Sequence, residues 1–482
     1  MILRLKIIPL VLSAFYALVF LSGITTAFGQ TGTQVELNDL SAFKNPSKSW
    51  RIVAGVKADL EKPNSLRFSD GVGVLLNLPD NRNKGEDLYT IEEYGDIDLE
   101  LEYLIAPGSN SGIYLQGRYE IQLIDTWGAT NIRSGSNGGI YERWDDSKPD
   151  GQKGYSGYAP RQNVSRAPGV WQRMKISFQA PRFDGNGAKI QNAVILRVDL
   201  NGVTIHDNVE LTGVTRGSIS ADEKATGPLR IQGDHGPIAF RNIKITKFDT
   251  PRQAPKAATN PNAVDPILID ASENSVVRSF MDIPGGSRVV HAVSVGSPAK
   301  VHYTYDMDNA AIIQAWRGGF LNATPMWHDR GDGSSRPLGT VQRFGKPMQS
   351  LAELENAQSI WPADTTGTSY RPRGYILDAH GRPTFRYLIH GSAISDFTTV
   401  MPDGTGLTRE IKIDNPTKEL YFRLASGSSI EETSPGLYLI DDQSYYLRLD
   451  NVNGAKPVLR DQNGRKELII PAGTGLSYSI LF

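Results

Sequence analysis

The sequence predicts an all-β protein built as two successive sandwich-like domains, and three observations carry that prediction. The chain has 482 residues, more than one ordinary core accommodates. Its apolar residues recur with period two, the period of a strand with one face in a core and one in water. Short alternating runs are separated by turn residues, drawn from 48 glycines and 28 prolines, and no amphipathic helix stands out before residue 250. Hydrophobic residues make up 39% of the chain, enough to fill cores. The stretch 249–264, with Pro251, Pro255 and Pro261 and no periodicity, reads as a linker between a first domain, 35–248, and a second, 265–482.

From the N-terminus, Arg4 and Lys6 precede the apolar run Ile7 to Leu21, and Ala27-Phe28-Gly29 is a small-x-small site. Residues 1–29 are thus expected to be a signal peptide cleaved after Gly29, leaving no membrane segment. The chain has no cysteine, so neither disulfides nor thiolate metal sites can form, and no cysteine follows the leader to carry a lipid. A large exported domain without disulfides suits the bacterial periplasm or a secreted bacterial protein. The net charge of −1 offers no basic field for nucleic acid.

Ile97 to Ile105 alternates Ile, Leu, Leu, Tyr and Ile with Asp98, Glu100 and Glu102, and reads as a half-buried strand. Val194 to Leu200 and Val203 to Val209 flank Asn201-Gly202, a strong hairpin signal. Leu229 to Gln232 and Ile238 to Ile245 are further strands. In the second domain the strands are Lys300 to Tyr305, Gly374 to Asp378, Glu410 to Ile413, Glu419 to Leu424, Gly436 to Ile440 and Leu476 to Phe482. A second hairpin is marked by Asn463-Gly464, and one helix is expected around Met348 to Ala357.

Chemistry concentrates between Ile113 and Asp125. From Ile113 to Leu123 the odd positions are apolar apart from Gly117 and the Tyr119 hydroxyl, whereas Tyr114, Gln116, Arg118, Glu120 and Gln122 occupy the even ones. The segment is either one strand or a hairpin turning at Gly117-Arg118-Tyr119; both put Tyr114, Gln116, Glu120 and Gln122 on one surface. Amides, a carboxylate and an aromatic ring are what sugar hydroxyls and C–H faces require. Asp125 is out of phase and joins Glu120 and Gln122 only if a bulge falls at Leu123-Ile124. The spacing Glu-x-Gln-x-x-Asp then parallels the Glu-x-Asp-x-x-Glu of retaining β-glucanases, with an amide replacing the middle carboxylate. A double-displacement glycosidase needs two carboxyls about 5–5.5 Å apart, so the pattern argues against that mechanism. A second cluster, Arg230, Gln232, Asp234 and His235, ends a strand in a Gly-bracketed turn, with His235 a candidate acid, base or metal ligand.

Six segments then occur in a familiar order: Glu93 to Leu99, Asn110 to Tyr114, Tyr119 to Asp125, Asn163 to Trp171, Gln232 to Gly236 and Phe240 to Ile243. Over roughly residues 35–248 they resemble the 3-keto-disaccharide hydrolase family, also described as 3-keto-glycoside lyases and 2-hydroxyglucal hydratases. The resemblance implies a concanavalin A-like jelly roll and an enzyme that cleaves oxidised glycosides. Such chemistry removes the C2 proton made acidic by the C3 ketone, expels the C1 substituent and adds water, a net hydrolysis. On this reading Glu120, His235 and Asp125 form the catalytic set, with Glu120 and His235 as base and acid in either order. Asn110, Tyr114, Gln122, Arg230, Gln232, Asp234, Trp144 and Tyr158 bind substrate, the last two from a cleft wall spanning Trp127 to Pro168. A divalent metal held by Glu120, Gln122 and His235 would stabilise the enolate, and no organic cofactor is indicated. Trp171 is expected in the core.

The second domain carries an aromatic, Gly-rich stretch, Ala315 to Asp329, that fits either a sugar platform or core packing. His380 is expected in an exposed turn, and His291, His302 and His390 in strands without evident partners. Two rival functions use the same polar face: a non-catalytic, lectin-like carbohydrate-binding protein and a conventional endo-glycosidase.

Overall fold

The computed structural model describes residues 32–252, 264–328 and 333–482. The expected signal segment, most of the linker and Asp329 lie outside the described residues. Among the described residues no helix is long and apolar enough to cross a membrane.

The first domain is a two-sheet antiparallel sandwich of jelly-roll type. Its larger sheet has eight strands, running in the order Val203–Leu211, Ala193–Leu200, Gln172–Gln179, Ile97–Ile105, Ile238–Lys247, Leu66–Asn77 and Trp50–Ala58, with Thr33–Gln34 added beside Ile238–Lys247. The smaller sheet has five, in the order Phe43–Lys44, Leu88–Tyr94, Gly227–Ile231, Asn110–Leu115 and Tyr119–Ile124. The alternation of Ile97 to Ile105 does what its period requires: Ile97, Leu99, Leu101 and Tyr103 enter the core and Asp98, Glu100 and Glu102 stay partly wet. Asn201 and Gly202, with φ of 52° and 84°, make the primed two-residue turn whose twist matches its flanking strands. Opposite, Ile113, Leu115, Tyr119, Ile121 and Leu123 line the same core from the five-stranded sheet.

The segment 113–123 is a hairpin, turning at Gln116-Gly117-Arg118 rather than running as one strand. Gln116 therefore leaves the face predicted for it. Its amide donates to the Tyr94 and Ala225 carbonyls at 3.2 and 2.9 Å and holds the turn in place.

The second domain contains sheets of six, four and eight strands. Its predicted strands are present, and Asn463-Gly464 joins Val458–Gln462 to Arg465–Pro471. The helix expected at Met348 to Ala357 is absent: Leu351–Glu353 is a strand paired with Leu420–Gly427. Leu351 and Ala352 are buried against that neighbour, and the cross-strand partner overrides local propensity. The described α-helix is Thr324–His328. Trp316 and Phe320 are fully buried and stacked, with ring centroids 5.9 Å apart, so this part of the aromatic stretch is core and no sugar platform. His302 is buried against both rings and bonded to the Gly318 carbonyl at 3.0 Å, while His291 pairs with Asp308 at 2.8 Å. His390 sits in a turn, not a strand, 3.3 Å from Glu353. His380 lies in the expected exposed turn.

The two domains pack on each other. Ala167 and Val170 share an apolar cluster with Leu437, Leu439, Tyr446 and Leu481. The Trp171 indole is buried and donates to Gln443 at 2.6 Å, and Trp127 donates to the Phe482 carbonyl at 2.9 Å.

Candidate functional site

Register, not sequence proximity, assembles the candidate site. Paired residues on neighbouring antiparallel strands point to the same face. Arg230 pairs with Tyr89 on one side and Tyr114 on the other, and Tyr114 pairs with Glu120. These four form one row across the outer face of the five-stranded sheet. The next row holds Gln122 opposite Gly112, whose carbonyl accepts from the Gln232 amide N–H at 2.9 Å. A third row begins at Asn110, whose N–H donates to the His235 carbonyl at 3.2 Å. A Cβ at position 112 would fall on the Glu120 carboxylate, so glycine there leaves that group its place.

This face is polar yet buried. Tyr114, Glu120, Gln122 and Arg230 are all nearly inaccessible. A wall covers one end: the Tyr114 hydroxyl reaches the Arg216 carbonyl at 3.5 Å, Arg230 donates to the Gly217 carbonyl, and the Glu120 N–H donates to Thr215 Oγ1 at 3.1 Å. Trp144 joins that wall, its ring 3.7 Å from the Arg216 guanidinium carbon.

Among the described residues, five buried polar atoms on the face have no hydrogen-bond partner: Glu120 Oε2, Gln122 Oε1, Asn110 Oδ1, Gln232 Oε1 and Arg230 Nε. A buried polar atom left unpaired costs about 1–3 kcal/mol, so a cluster of them is explained by a ligand that completes it. Four of the five are acceptor oxygens, which suit hydroxyl groups. They also fit a hard divalent cation, whose ligands are carboxylate and amide oxygens. Among the described residues no three of His, Asp and Glu cluster as a metal set, so amides and substrate oxygens would have to complete the shell.

Glu120 is electrostatically unusual. Burial pushes its carboxyl up to about 7, and the nearby Asp87 and Asp234 push the same way; the Tyr114 hydroxyl and the Arg230 guanidinium only partly offset them. Arg230 is held by Asp87 at 2.6 Å and lies over the Tyr114 ring, 4.2 Å from its centroid. Asp87 also accepts the Gly233 N–H at 3.1 Å and so ties the end of strand Gly227–Ile231 to this arrangement. Sequence reading passed over Asp87, whose partner Arg230 meets it only across the sheet. The wall residues Thr215, Arg216 and Gly217 left no such signal.

His235 lies in the expected Gly-bracketed turn, half-exposed and hydrogen-bonded through Nδ1 to Asp234. Buried Asn77 clamps that turn by donating to the Gly233 and Gly236 carbonyls at 2.8 and 3.3 Å. Its row is that of Asn110, four residues along the strand from the row of Glu120, or about 13 Å between backbones. The two groups therefore flank the amide rows and do not touch.

Two predicted site residues do not join. Asp125 follows a strand that pairs regularly through Ile124, with no bulge to swing it onto the face. Its carboxylate accepts the Gly108 and Trp127 N–H groups at 3.0 and 3.1 Å, so it fastens a turn. Tyr158 bridges Ile140, which bridges the core-facing Ile121, and its hydroxyl reaches the Glu210 carbonyl of the opposite sheet at 3.5 Å. It belongs to the other side of the sheet.

Residues 37–246 match the family described as the 3-keto-alpha-glucoside-1,2-lyase-like domain. No curated protein matches the chain. Among solved structures, a protein described as a candidate glycosyl hydrolase from Parabacteroides distasonis ATCC 8503 is 24% identical over 45% of this chain and 84% of its own, with a TM-score of 0.32. A second from that organism is 20% identical over 45% of this chain and 100% of its own, at 0.30. The botulinum neurotoxin serotype D binding domain aligns over 94% of this chain and 97% of its own at 6% identity, at 0.24.

Proposed function

We propose, starting from residues 37–246 being a 3-keto-alpha-glucoside-1,2-lyase-like domain of a carbohydrate-active hydrolase, that the outer face of the five-stranded sheet cleaves 3-keto-glycosides by elimination and hydration. The observation that carries this reading is Glu120, a buried carboxylate with its pKa raised to about 7 among unpartnered acceptor oxygens. A base needs a pKa near the working pH, and burial supplies it here.

Glu120 takes the C2 proton, and the C2–H electron pair delocalises into the C3 carbonyl as an enolate. Arg230, through its unpartnered Nε, lies on the same row to stabilise that oxygen. Collapse of the enolate forms the C1=C2 bond and breaks the C1–O bond; the departing oxygen takes a proton from His235, which Asp234 orients. Water then adds at C1 and a proton returns to C2, so the sum is hydrolysis. Asn110, Gln122 and Gln232 accept from sugar hydroxyls, and Trp144 offers a ring at the wall. A hard cation bound among the same oxygens would supply further stabilisation of the enolate charge. No second free carboxyl is required, which accommodates Gln122 and the structural use of Asp125. The apolar leader at Ile7 to Leu21 supports an exported enzyme, periplasmic or secreted.

The test is release of aglycone from a 3-keto-glucoside and from the ordinary glucoside, with and without chelator. The reading predicts turnover of the keto substrate alone. Cleavage of only the ordinary glucoside would replace it with a conventional glycosidase. Saturable binding of unmodified oligosaccharide without turnover of either would replace it with a lectin.

A further inference from the structure

A separate cavity lies away from this face. It is a cleft of about 710 Å³ wholly within the second domain, in the size range of small-molecule sites. Five cationic side chains and one carboxylate line it: Arg343, Lys346, Arg409, Arg423, Arg465 and Glu467. The inner charges are spent on each other. Arg409 is fully buried against Asp396, Nε to Oδ1 at 2.9 Å, and Glu467 is shared by Arg423 and Arg460 at 3.0 and 2.7 Å. The outer three are not. Among the described residues Arg343, Lys346 and Arg465 have no carboxylate partner; Arg465 bonds only Ser426, at 3.4 and 3.3 Å.

Between that cationic rim and the paired floor sits Gln349. It is 1% exposed, lines the cleft, and both its amide oxygen and its amide nitrogen lack a hydrogen-bond partner. Its backbone is fixed by the buried Trp361, whose indole N–H donates to the Gln349 backbone carbonyl at 3.2 Å. A buried free amide asks for a ligand with both a donor and an acceptor, and unpaired cations ask for negative charge. A sugar bearing carboxylates satisfies both, its hydroxyls donating and accepting at the amide; a bare inorganic anion leaves the amide oxygen unused.

We infer that this cleft is a second carbohydrate site, for an acidic oligosaccharide, independent of the chemistry on the first domain. A β domain that binds an acidic glycan would hold the catalytic domain close to a polyanionic substrate or matrix.

Calorimetric titration of the full-length chain with trigalacturonate, cellotriose, hexaglutamate and sulfate tests this. Trigalacturonate is expected to bind saturably, with cellotriose, hexaglutamate and sulfate much weaker. The exposed triple variant Arg343→Ala/Lys346→Ala/Arg465→Ala should lower its affinity about tenfold or more. Gln349→Leu should lower it too, with no loss of melting temperature, because leucine removes an unpaired buried amide. Glu120→Gln should bind as the wild type does, whatever becomes of the keto-glycoside activity. The inference is overturned if trigalacturonate does not bind, or if cellotriose, sulfate or the acidic peptide binds as tightly. It is also overturned if the triple variant or Gln349→Leu is indistinguishable from wild type, or if Glu120→Gln weakens trigalacturonate binding.

Discussion

Two buried charged sites, Arg409–Asp396 in the second domain and Glu120 in the first, are built in opposite ways. In the second, Arg409 and Asp396 are both inaccessible and satisfied, with Tyr305 donating a further hydrogen bond to Asp396 at 2.8 Å. In the first, Glu120 is equally buried but one carboxylate oxygen is unpaired, as are the oxygens of Asn110, Gln122 and Gln232. A satisfied buried pair holds a fold, whereas a half-satisfied set destabilises it unless something else completes the bonding. The same degree of burial marks structure in one place and function in the other, and the difference lies in the partners.

That contrast can be broken most forcefully at Glu120. Glu120→Gln should cut turnover of a 3-keto-glucoside by about 10³-fold, within the range of general-base contributions, without lowering the melting temperature. Asp396→Asn should do the reverse. Stranding Arg409 should cost about 3–5 kcal/mol in denaturant unfolding, while the remaining folded enzyme keeps its kcat. Equal stability losses in the two variants would erase the distinction.

A pH series sharpens it. A carboxyl whose folded pKa is raised binds its proton more tightly when folded than when unfolded. Between the unfolded value of 4.5 and the folded value of about 7, the native state therefore loses stability as pH rises. The loss amounts to about 3 kcal/mol and is complete above the folded pKa. Activity should follow the opposite course, with kcat/KM rising through about 7 as Glu120 deprotonates. Glu120→Gln should flatten the stability difference. A smaller effect is expected from Gln122→Leu, about a tenfold rise in KM through the lost hydroxyl contact, read from steady-state kinetics. The smallest belongs to Asp125→Asn. It should weaken a turn by about 1 kcal/mol or less and leave kcat unchanged; a large fall in kcat would return Asp125 to the catalytic set.

How far the sequence disclosed this arrangement depended on the range of the interaction. Ile97 to Ile105 and the Asn201-Gly202 hairpin declare themselves, because alternation and turn chemistry are local. Tyr114, Glu120 and Gln122 were legible by parity, since strand pairing keeps faces intact. Asp87 was not, because its importance comes from Arg230, a partner far along the chain that meets it only across the sheet. Asp125 misled for the converse reason: adopting it required a bulge, and its carboxylate had a nearer use on the Gly108 and Trp127 amides. The strand at Leu351–Glu353 reads as helix locally and is decided by its partner Leu420–Gly427. The second-domain cleft had no sequence signature, its lining being drawn from segments spread between Ile283 and Ile480.

The central claim is that Glu120 removes a C2 proton made acidic by a C3 ketone. Aglycone release from a 3-keto-glucoside deuterated at C2 measures it most directly. The account predicts a primary isotope effect on kcat/KM in the wild-type enzyme and near-complete loss of release in Glu120→Gln. Release with no isotope effect, at a rate that Glu120→Gln leaves unchanged, would contradict it.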